Sequence, residues 1–220
     1  MKIKVGVIFD QKTSVGGGFT QSFEVVKFLK NNSNEYFEPI FFTIFKENLE
    51  LFKDEDIDVK LIRLNIFQKL LMKLSTIIQA NFFQKIYNKI FGINSFERIL
   101  LNNNIDIVYF LSPSSWSLYL NKINFIITVW DICHRHHPEF PEVNNDKIFE
   151  ERENIFSKSL PKANAIIVDS FHTKINLIKF YNISESNIEI IEFKNRFKSK
   201  FTKLNKDFLI NKYKIKNKFI

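Results

Sequence analysis

Short apolar runs alternate along this chain with stretches that have the spacing of amphipathic helices, and this alternation constrains the fold most. The first run, IKVGVIF at Ile3–Phe9, has the length of a buried strand. Further runs of this kind are Phe37–Phe45, Ile57–Leu64, Ile105–Leu111, Ile123–Trp130, Ala163–Ser170 and Asn187–Phe193. Strands that alternate with helices predict an α/β fold, in which helices cover both faces of an open, mostly parallel sheet.

The helical stretches complete this pattern. Helices are predicted over Thr20–Lys30, Asn65–Phe91, Lys147–Leu160 and from Ser170, a helix-capping residue type, to about Phe180. Ligands bind such sheets beyond the carboxyl ends of the strands. The loops in which we expect a site therefore follow Phe9, Leu111, Trp130 and Val168.

Composition and charge exclude several classes of protein. The chain has 220 residues, 45% hydrophobic and 25% charged, which is a globular composition. A single cysteine, Cys133, excludes an internal disulfide framework and fits a reducing compartment. No apolar run is long enough to span a bilayer and the N-terminus does not have the pattern of a signal peptide, so a cytoplasmic protein is expected.

The net charge of +8 is concentrated at the C-terminal end of the chain. Residues 194–220 contain ten Lys and Arg against one acidic residue, a balance of +9 that leaves about −1 for residues 1–193. No nucleic-acid-binding motif accompanies these charges, and solvated lysines explain them as well. We therefore predict an α/β domain over 1–193, followed by a basic linker, and no nucleic-acid partner.

Three consecutive glycines, Gly16, Gly17 and Gly18, lie between the first strand and the first helix. Without Cβ atoms in the way, backbone N–H groups can come close to a ligand there, and the following helix presents its positive end to an anion. The spacing matches neither the G-x-G-x-x-G fingerprint nor a P-loop. Taken alone, the glycines fit either an anion site or a flexible turn.

The loop after Trp130, TVWDICHRHHPEFPE, concentrates polar side chains within a few residues. They are Asp131, His134, Arg135, His136, His137, Glu139 and Glu142. The histidines lack helical zinc-ligand spacing and Pro138 opposes a helix there, so we predict no metal site. A catalytic Cys–His pair is disfavoured because neighbouring residues on an extended loop point apart. Polar recognition remains: Asp131 and His134 at a sugar or phosphate, and Arg135 as an anion clamp.

Three segments together resemble a known family. SVGGGFTQSFEVVKFL, TVWDICHRHHPEFPE and AIIVDSFHTKINLIKFYNISESNIEIIEF occur in the order and at about the spacing found in family 4 glycosyltransferases. These are retaining enzymes that use a nucleotide sugar and have the GT-B fold, in which two Rossmann-like domains face each other across a cleft. The resemblance spans nearly the whole chain but only the N-terminal, acceptor-side half of such an enzyme.

The resemblance assigns roles to individual residues. It places Gly16, Gly17 and Gly18 at the donor's diphosphate. Many relatives have His-Asp where this chain has Trp130-Asp131. The D-x-x-H-R-x-x-P-E-F form of the loop indicates that His134 takes the polar role of the missing histidine. Asp131 and His134 are then the catalytic candidates, and Arg135 and Glu139 the acceptor-binding ones. Ser170 and Lys174 match a structural S-x-x-x-K region.

The resemblance also implies the activity. It predicts transfer of a hexose from a nucleotide sugar to a saccharide or lipid-linked acceptor, with no metal or other cofactor. The donor-binding domain would follow residues 194–220, so negligible turnover is expected from this chain alone. Two alternatives stay open: a non-catalytic module that binds a sugar or a partner, and another Rossmann-type enzyme such as an epimerase.

The segment Ile62–Phe91 is basic, rich in aromatic residues and free of acids. Such a segment can dock on an anionic membrane, because lysines are attracted to the surface and apolar side chains enter the interface. Peripheral binding at the inner membrane face is one prediction. A pair of core-packing helices with exposed lysines is the other, and helical geometry does not place Lys69, Lys73, Lys85 and Lys89 on one stripe.

Overall fold

The computed structural model describes residues 2–12, 16–77, 93–140, 143, 146–192 and 212–214. For positions 71, 73–77 and 146 it describes the backbone alone. The predicted basic linker therefore lies almost entirely outside the described residues, as does the second half of the helix predicted over Asn65–Phe91. No described helix is long and apolar enough to cross a membrane.

The described strands form one seven-stranded sheet in which every neighbouring pair is parallel. The spatial order is β3-β2-β1-β4-β5-β6-β7. The strands are β1 (Ile3–Phe9), β2 (Phe37–Thr43), β3 (Val59–Leu61), β4 (Ile107–Phe110), β5 (Asn124–Val129), β6 (Ala165–Val168) and β7 (Ile188–Ile190). This confirms the predicted parallel α/β fold.

Helices connect the strands. They are α1 (Gly17–Asn31), α2 (Asn48–Asp54), α3 (Ile66–Ile77), α4 (Ser95–Asn102), the single turn α5 (Cys133–His136), α6 (Asp146–Ser159) and α7 (Phe171–Tyr181). Short 3-10 helices occupy Ser115–Tyr119, Leu160–Lys162 and Glu185–Asn187. The Ser170 side chain accepts a hydrogen bond from Thr173 N–H at 3.2 Å and caps α7, as predicted.

Alternating side chains of the strands build two cores, one on each face of the sheet. On β1, Val7 and Phe9 pack with Phe23 of α1 and Phe52 of α2. Ile8 points to the opposite face, where α3, α4, α6 and α7 supply the core. The predicted coverage of both faces is thus confirmed.

Two local predictions were wrong. The first helix begins at Gly17, three residues before the predicted Thr20, because the glycines themselves take up its first turn. The loop after Trp130 is not fully extended. The Asp131 carboxylate accepts the Cys133 N–H at 2.8 Å and turns the chain into α5, which ends before Pro138.

Candidate functional site

The strand order places a topological switch point between β1 and β4. The chain leaves β1 toward β2 on one side and leaves β4 toward β5 on the other, so a crevice opens beyond their carboxyl ends. The loops after β1, β4, β5 and β6 share this edge because all four strands are parallel. These are the four loops in which the sequence predicted a site.

The three glycines at the start of α1 differ in backbone conformation and in the space around each Cα. Gly16 has φ +74°, a left-handed conformation that glycine adopts without steric cost. Among the described residues, a Cβ added to Gly17 would meet no atom within 4 Å, so it meets no steric obstacle from them. A Cβ added to Gly18 would lie 2.5 Å from Cζ3 of Trp130, so Gly18 has a packing reason to be glycine. Diphosphate binding by the three residues stays a prediction.

The first backbone N–H groups of α1 have no partner inside the helix, as in any α-helix. The first bond that closes the helix runs from Thr20 N–H to the carbonyl of Gly16 at 3.2 Å. The N–H groups of Gly17, Gly18 and Phe19 precede it. Together with the helix dipole they form a site at which a negatively charged group is stabilised.

The carboxyl group of Asp10, which was not among the predicted site residues, lies at the switch point. Asp10 directly follows β1 and is only partly exposed. Ser114, beyond β4, donates its hydroxyl to Oδ2 at 2.5 Å, and Ser112 donates to Oδ1 at 3.3 Å. Burial raises the pKa of Asp10 to about 6, although the serine hydroxyls oppose this shift.

Buried serines hold this carboxyl group in place. Ser114 Oγ also accepts the Trp116 N–H at 3.2 Å, and the Ser114 carbonyl accepts the Ser117 hydroxyl at 2.5 Å. Ser117 Oγ in turn accepts the hydroxyl of Ser159, the last residue of α6, at 2.5 Å. Ser112, Ser114, Ser117 and Ser159 are all buried. A buried, satisfied network of this kind fixes the orientation of its members.

Of the two predicted catalytic residues, Asp131 is the more exposed to solvent. Its side chain is 45% exposed, and Oδ1 lies 3.3 Å from Nη1 of Arg152 on α6. The same atom accepts the Cys133 N–H. Asp131 therefore shapes the loop after β5 and still presents a carboxylate at the carboxyl edge of the sheet.

His134 lies inside the protein. Its side chain is 0% exposed, and Nε2 is 2.8 Å from Oε1 of Glu153 and 3.2 Å from the hydroxyl of Tyr181. Burial lowers its pKa, and the neighbouring Glu153 opposes this shift only in part. Nδ1 is buried with no hydrogen-bond partner among the described residues. In this structure His134 anchors the loop to α6 and exposes no atom to a substrate.

Arg135 binds the same carboxylate. Its Nε donates to Oε1 of Glu153 at 2.7 Å, and Nη2 donates to Oε2, so the pair is bidentate. The hydrogen bonds to Glu153 raise the pKa of Arg135. Burial raises the pKa of Glu153, but hydrogen bonds from Arg135, Tyr181 and His134 outweigh it and hold that pKa below its usual value. Arg135, which was predicted to bind an anionic ligand, is thus paired with the Glu153 carboxylate in this structure.

Glu139 lies at the exposed rim of this loop. Its side chain is 64% exposed, and Oε1 is 3.2 Å from Nδ1 of His137. Within the described part of the chain, no group of three or more His, Cys, Asp or Glu could hold a metal ion. Glu142, another polar residue of the loop, lies outside the described residues.

The comparisons with known proteins give a fold and no family. No family model and no curated protein matches the chain. It is similar to a solved glycosyltransferase from Rickettsia africae ESF-5, with a TM-score of 0.52 and 18% identity over 98% of this chain and 50% of that one. A putative UDP-N-acetylglucosamine 2-epimerase from Listeria monocytogenes has a TM-score of 0.48 and 15% identity, over 86% of this chain and 44% of that one.

The Rickettsia structure shows which architecture the chain has. This is the Rossmann-like α/β fold found in glycosyltransferases of the GT-B type. The chain spans about half the length of that glycosyltransferase. The predicted fold class is confirmed.

Sequence reasoning missed Asp10, Ser112, Ser114 and Glu153. A signal existed for the first three, because Asp10 ends the first predicted strand and the serines of SPSSW follow the fourth. Both positions are in loops that the sequence had already marked. Glu153 gave no such signal, since its side-chain partners His134, Arg135 and Tyr181 are 18 to 28 residues away in the chain.

Proposed function

We propose that this chain is the acceptor-side half of a glycosyltransferase that uses a nucleotide sugar. The observation that supports it best is the open, glycine-lined N-terminus of α1 beside the switch point of a GT-B type fold. An anionic group at that helix end would meet N–H groups that have no partner inside the helix, and the positive end of the dipole. The sequence motifs extend the proposal to a retaining, family 4 enzyme that transfers a hexose.

The diphosphate of the donor would bind at Gly16 and Gly17, where the backbone is accessible. Glycosyl transfer requires stabilisation of the negative charge that develops on the departing nucleoside diphosphate. Backbone N–H groups supply it without a metal ion, and none is part of this proposal. Gly18 contributes through its backbone N–H, while its missing side chain makes room for Trp130.

The loop after β5 would hold the acceptor. Asp131 is exposed enough to accept a hydrogen bond from a sugar hydroxyl. His134 and Arg135 act as positioning residues in this proposal, because both are bound to Glu153 and fix the loop against α6. Glu139 at the exposed rim is the outer acceptor-binding residue. The acceptor is a saccharide, free or linked to a lipid.

Catalysis would need the other half of the enzyme. Holding two substrates in reactive geometry supplies a large part of the rate enhancement. In a GT-B enzyme two domains on either side of a cleft hold them, so one domain alone lacks this advantage. We therefore expect binding but negligible turnover from these 220 residues alone.

Titration calorimetry with UDP, GDP, ADP and UDP-glucose tests the donor site. A nucleoside diphosphate is expected to bind, and Gly17→Val should weaken it about tenfold or more, the scale of one lost charge-assisted contact. Because a Cβ at Gly17 meets no atom, the melting temperature should stay unchanged. Gly6→Ala is the control for a general effect of replacing a glycine. Gly6 lies within β1, away from the start of α1, and its added Cβ would meet Ile105.

Two outcomes would contradict the diphosphate contact proposed for the start of α1. One is the absence of nucleotide binding up to about 10 mM, beyond the affinity range of most substrates. The other is equal affinity of Gly17→Val and the unchanged chain.

A further inference from the structure

Asp10 is a partly buried carboxyl group for which the fold alone gives no reason. In the part of the chain that the structure describes, no Lys, Arg or His nitrogen lies within ion-pair distance of it. Burial raises its pKa to about 6, so near neutral pH it is mostly charged, and no described cationic side chain pairs with it. An unpaired, partly buried carboxylate destabilises a fold.

The surroundings of Asp10 orient it instead of neutralising it. Ser112 and Ser114 donate one hydrogen bond to each carboxylate oxygen, and the chain of buried serines behind Ser114 keeps that donor from turning away. A carboxylate has about four acceptor positions, and the two serines and the backbone N–H of Asp10 use about three, so about one remains for another donor. Asp10 is partly exposed and directly follows β1, at the edge of the sheet where the crevice opens.

We propose that Asp10 is a substrate-binding residue that accepts a hydrogen bond from a saccharide hydroxyl group in the crevice between β1 and β4. The inference rests on the proposed function and adds a further residue that touches the acceptor sugar, beside Asp131 and Glu139. Asp10 directly follows β1, and α1 begins seven residues later at Gly17, with Gly16 as its N-cap. A hydroxyl bound to Asp10 would therefore lie on the same edge of the sheet as the helix end proposed for the diphosphate.

The chemistry of the site selects a hydroxyl group as its ligand. A second anion is repelled by the carboxylate, and among the described residues no group of three or more His, Cys, Asp or Glu could hold a metal ion there. A neutral hydroxyl donor forms a charge-assisted hydrogen bond with a carboxylate and requires no further counter-charge. Saccharides contain several neutral hydroxyl groups that can donate in this way.

Saturation-transfer NMR on the 220-residue chain tests this subsite. The probes are the methyl glycosides of glucose, galactose, mannose and N-acetylglucosamine, each up to about 10 mM, because single sugars bind weakly. At least one glycoside is expected to bind, and Asp10→Asn should weaken it about tenfold, since the charge-assisted bond is lost. Ser114→Ala leaves the carboxyl group but removes its support, and should weaken binding about threefold.

Asp106→Asn is the matched control. Asp106 precedes β4 and accepts the Lys4 N–H at 2.7 Å, so it links the same two strands at the opposite edge of the sheet. Its replacement should leave the glycoside signal unchanged. Asp10→Asn should also raise the melting temperature at neutral pH, because the amide avoids burial of a charge. A higher melting temperature would show that lost binding does not come from unfolding.

The outcomes separate this inference from the proposed function. Glycoside binding that is equal in the unchanged chain and in Asp10→Asn overturns the subsite. The absence of any glycoside signal with the unchanged chain overturns it as well. In both cases nucleotide binding at α1, measured independently by calorimetry, still decides the proposed function.

Discussion

The indole ring of Trp130 packs directly against the backbone of Gly18, so that an added Cβ at Gly18 would lie 2.5 Å from Cζ3 and 2.7 Å from Cη2 of the ring. This contact joins the end of β5 to the first turn of α1. Both residues lie at the carboxyl edge of the sheet, and the contact therefore couples the loop that contains Asp131 to the helix end proposed for the diphosphate.

Gly18→Ala should destabilise the protein by about 1–3 kcal/mol, the usual cost of overpacking, and should shift the Trp130 fluorescence. Gly17→Ala is the control, because its Cβ meets no described atom; it should leave the fluorescence unchanged and should not destabilise the protein. Trp130→Leu should relieve most of the cost, so that a double-mutant cycle in thermal denaturation gives a coupling of about 1 kcal/mol. Additive effects of the two substitutions would show that the residues do not touch.

The sequence predicted the sheet because its strands are buried on both faces and are therefore apolar throughout. Val7, Ile8 and Phe9 of β1 illustrate this, since they belong to opposite cores and yet all are apolar. Strand ends were predicted less well. The run Ile57–Leu64 forms a strand only over Val59–Leu61, because this edge strand pairs with β2 alone and only along three residues.

The candidate site was predicted only where its residues are close in sequence. Asp131, His134 and Arg135 lie within one loop, and the pattern singled them out. The pattern could not show that His134 and Arg135 bind Glu153, because that contact depends on how α6 packs against the loop. Asp10 was overlooked because nothing local distinguishes it from a turn residue; only the strand order brings it to Ser112 and Ser114.

The buried His134 should make stability fall in mild acid. Its folded-state pKa is below the unfolded value, so the unfolded chain takes up the proton first, and stability present above about pH 6.5 is lost as the pH falls toward the folded-state pKa. Burial opposes protonation most, and the charges of Arg152 and Arg135 add to it. The melting temperature should drop by several degrees between about pH 7.5 and about pH 5.5.

His134→Gln is the comparison for that measurement, because the amide can still donate to Glu153 but does not titrate. Its melting temperature should depend less on pH over the same interval. Asp10 has a raised pKa and stabilises the fold as the pH falls through about 6, but both proteins contain it and its effect cancels in the difference. Equal pH dependence in the two proteins would show that His134 is not the titrating group.

Two substitutions of Asp131, to Asn and to Ala, should distinguish a role in stability from a role in binding. Asp131→Asn keeps an oxygen that can accept the Cys133 N–H and loses only an exposed ion pair with Arg152, so the expected destabilisation is below about 1 kcal/mol. Asp131→Ala also removes the turn-forming acceptor and should cost about 1 kcal/mol more.

The functional readout for Asp131 is binding of the methyl glycosides used for Asp10. Both Asp131 variants should weaken it by about threefold or more, because an exposed carboxylate is lost in each. Weaker binding in Asp131→Ala alone would assign Asp131 to the shape of the loop and not to contact with the sugar.

The start of α3 exposes a group of apolar side chains. Ile66 is 87% exposed, Phe67 66% and Leu70 53%, and Lys69 lies between them in sequence. Met72 of the same helix is buried against the core, so α3 has one packed side and one side that faces outward. Lys85 and Lys89, predicted to take part in membrane binding, lie outside the described residues.

We predict that this surface binds anionic vesicles and that salt weakens the binding, since each lysine near a charged bilayer adds about 1 kcal/mol. Changing Lys69, Lys73, Lys85 and Lys89 to Gln should reduce co-sedimentation at low salt, and Phe67→Ser should reduce it at every salt concentration because an inserted ring is lost. Phe28→Ser on α1, which removes another exposed phenylalanine, is the matched control and should have no effect. If the unchanged chain does not co-sediment at low salt, α3 is a core-packing helix with exposed lysines.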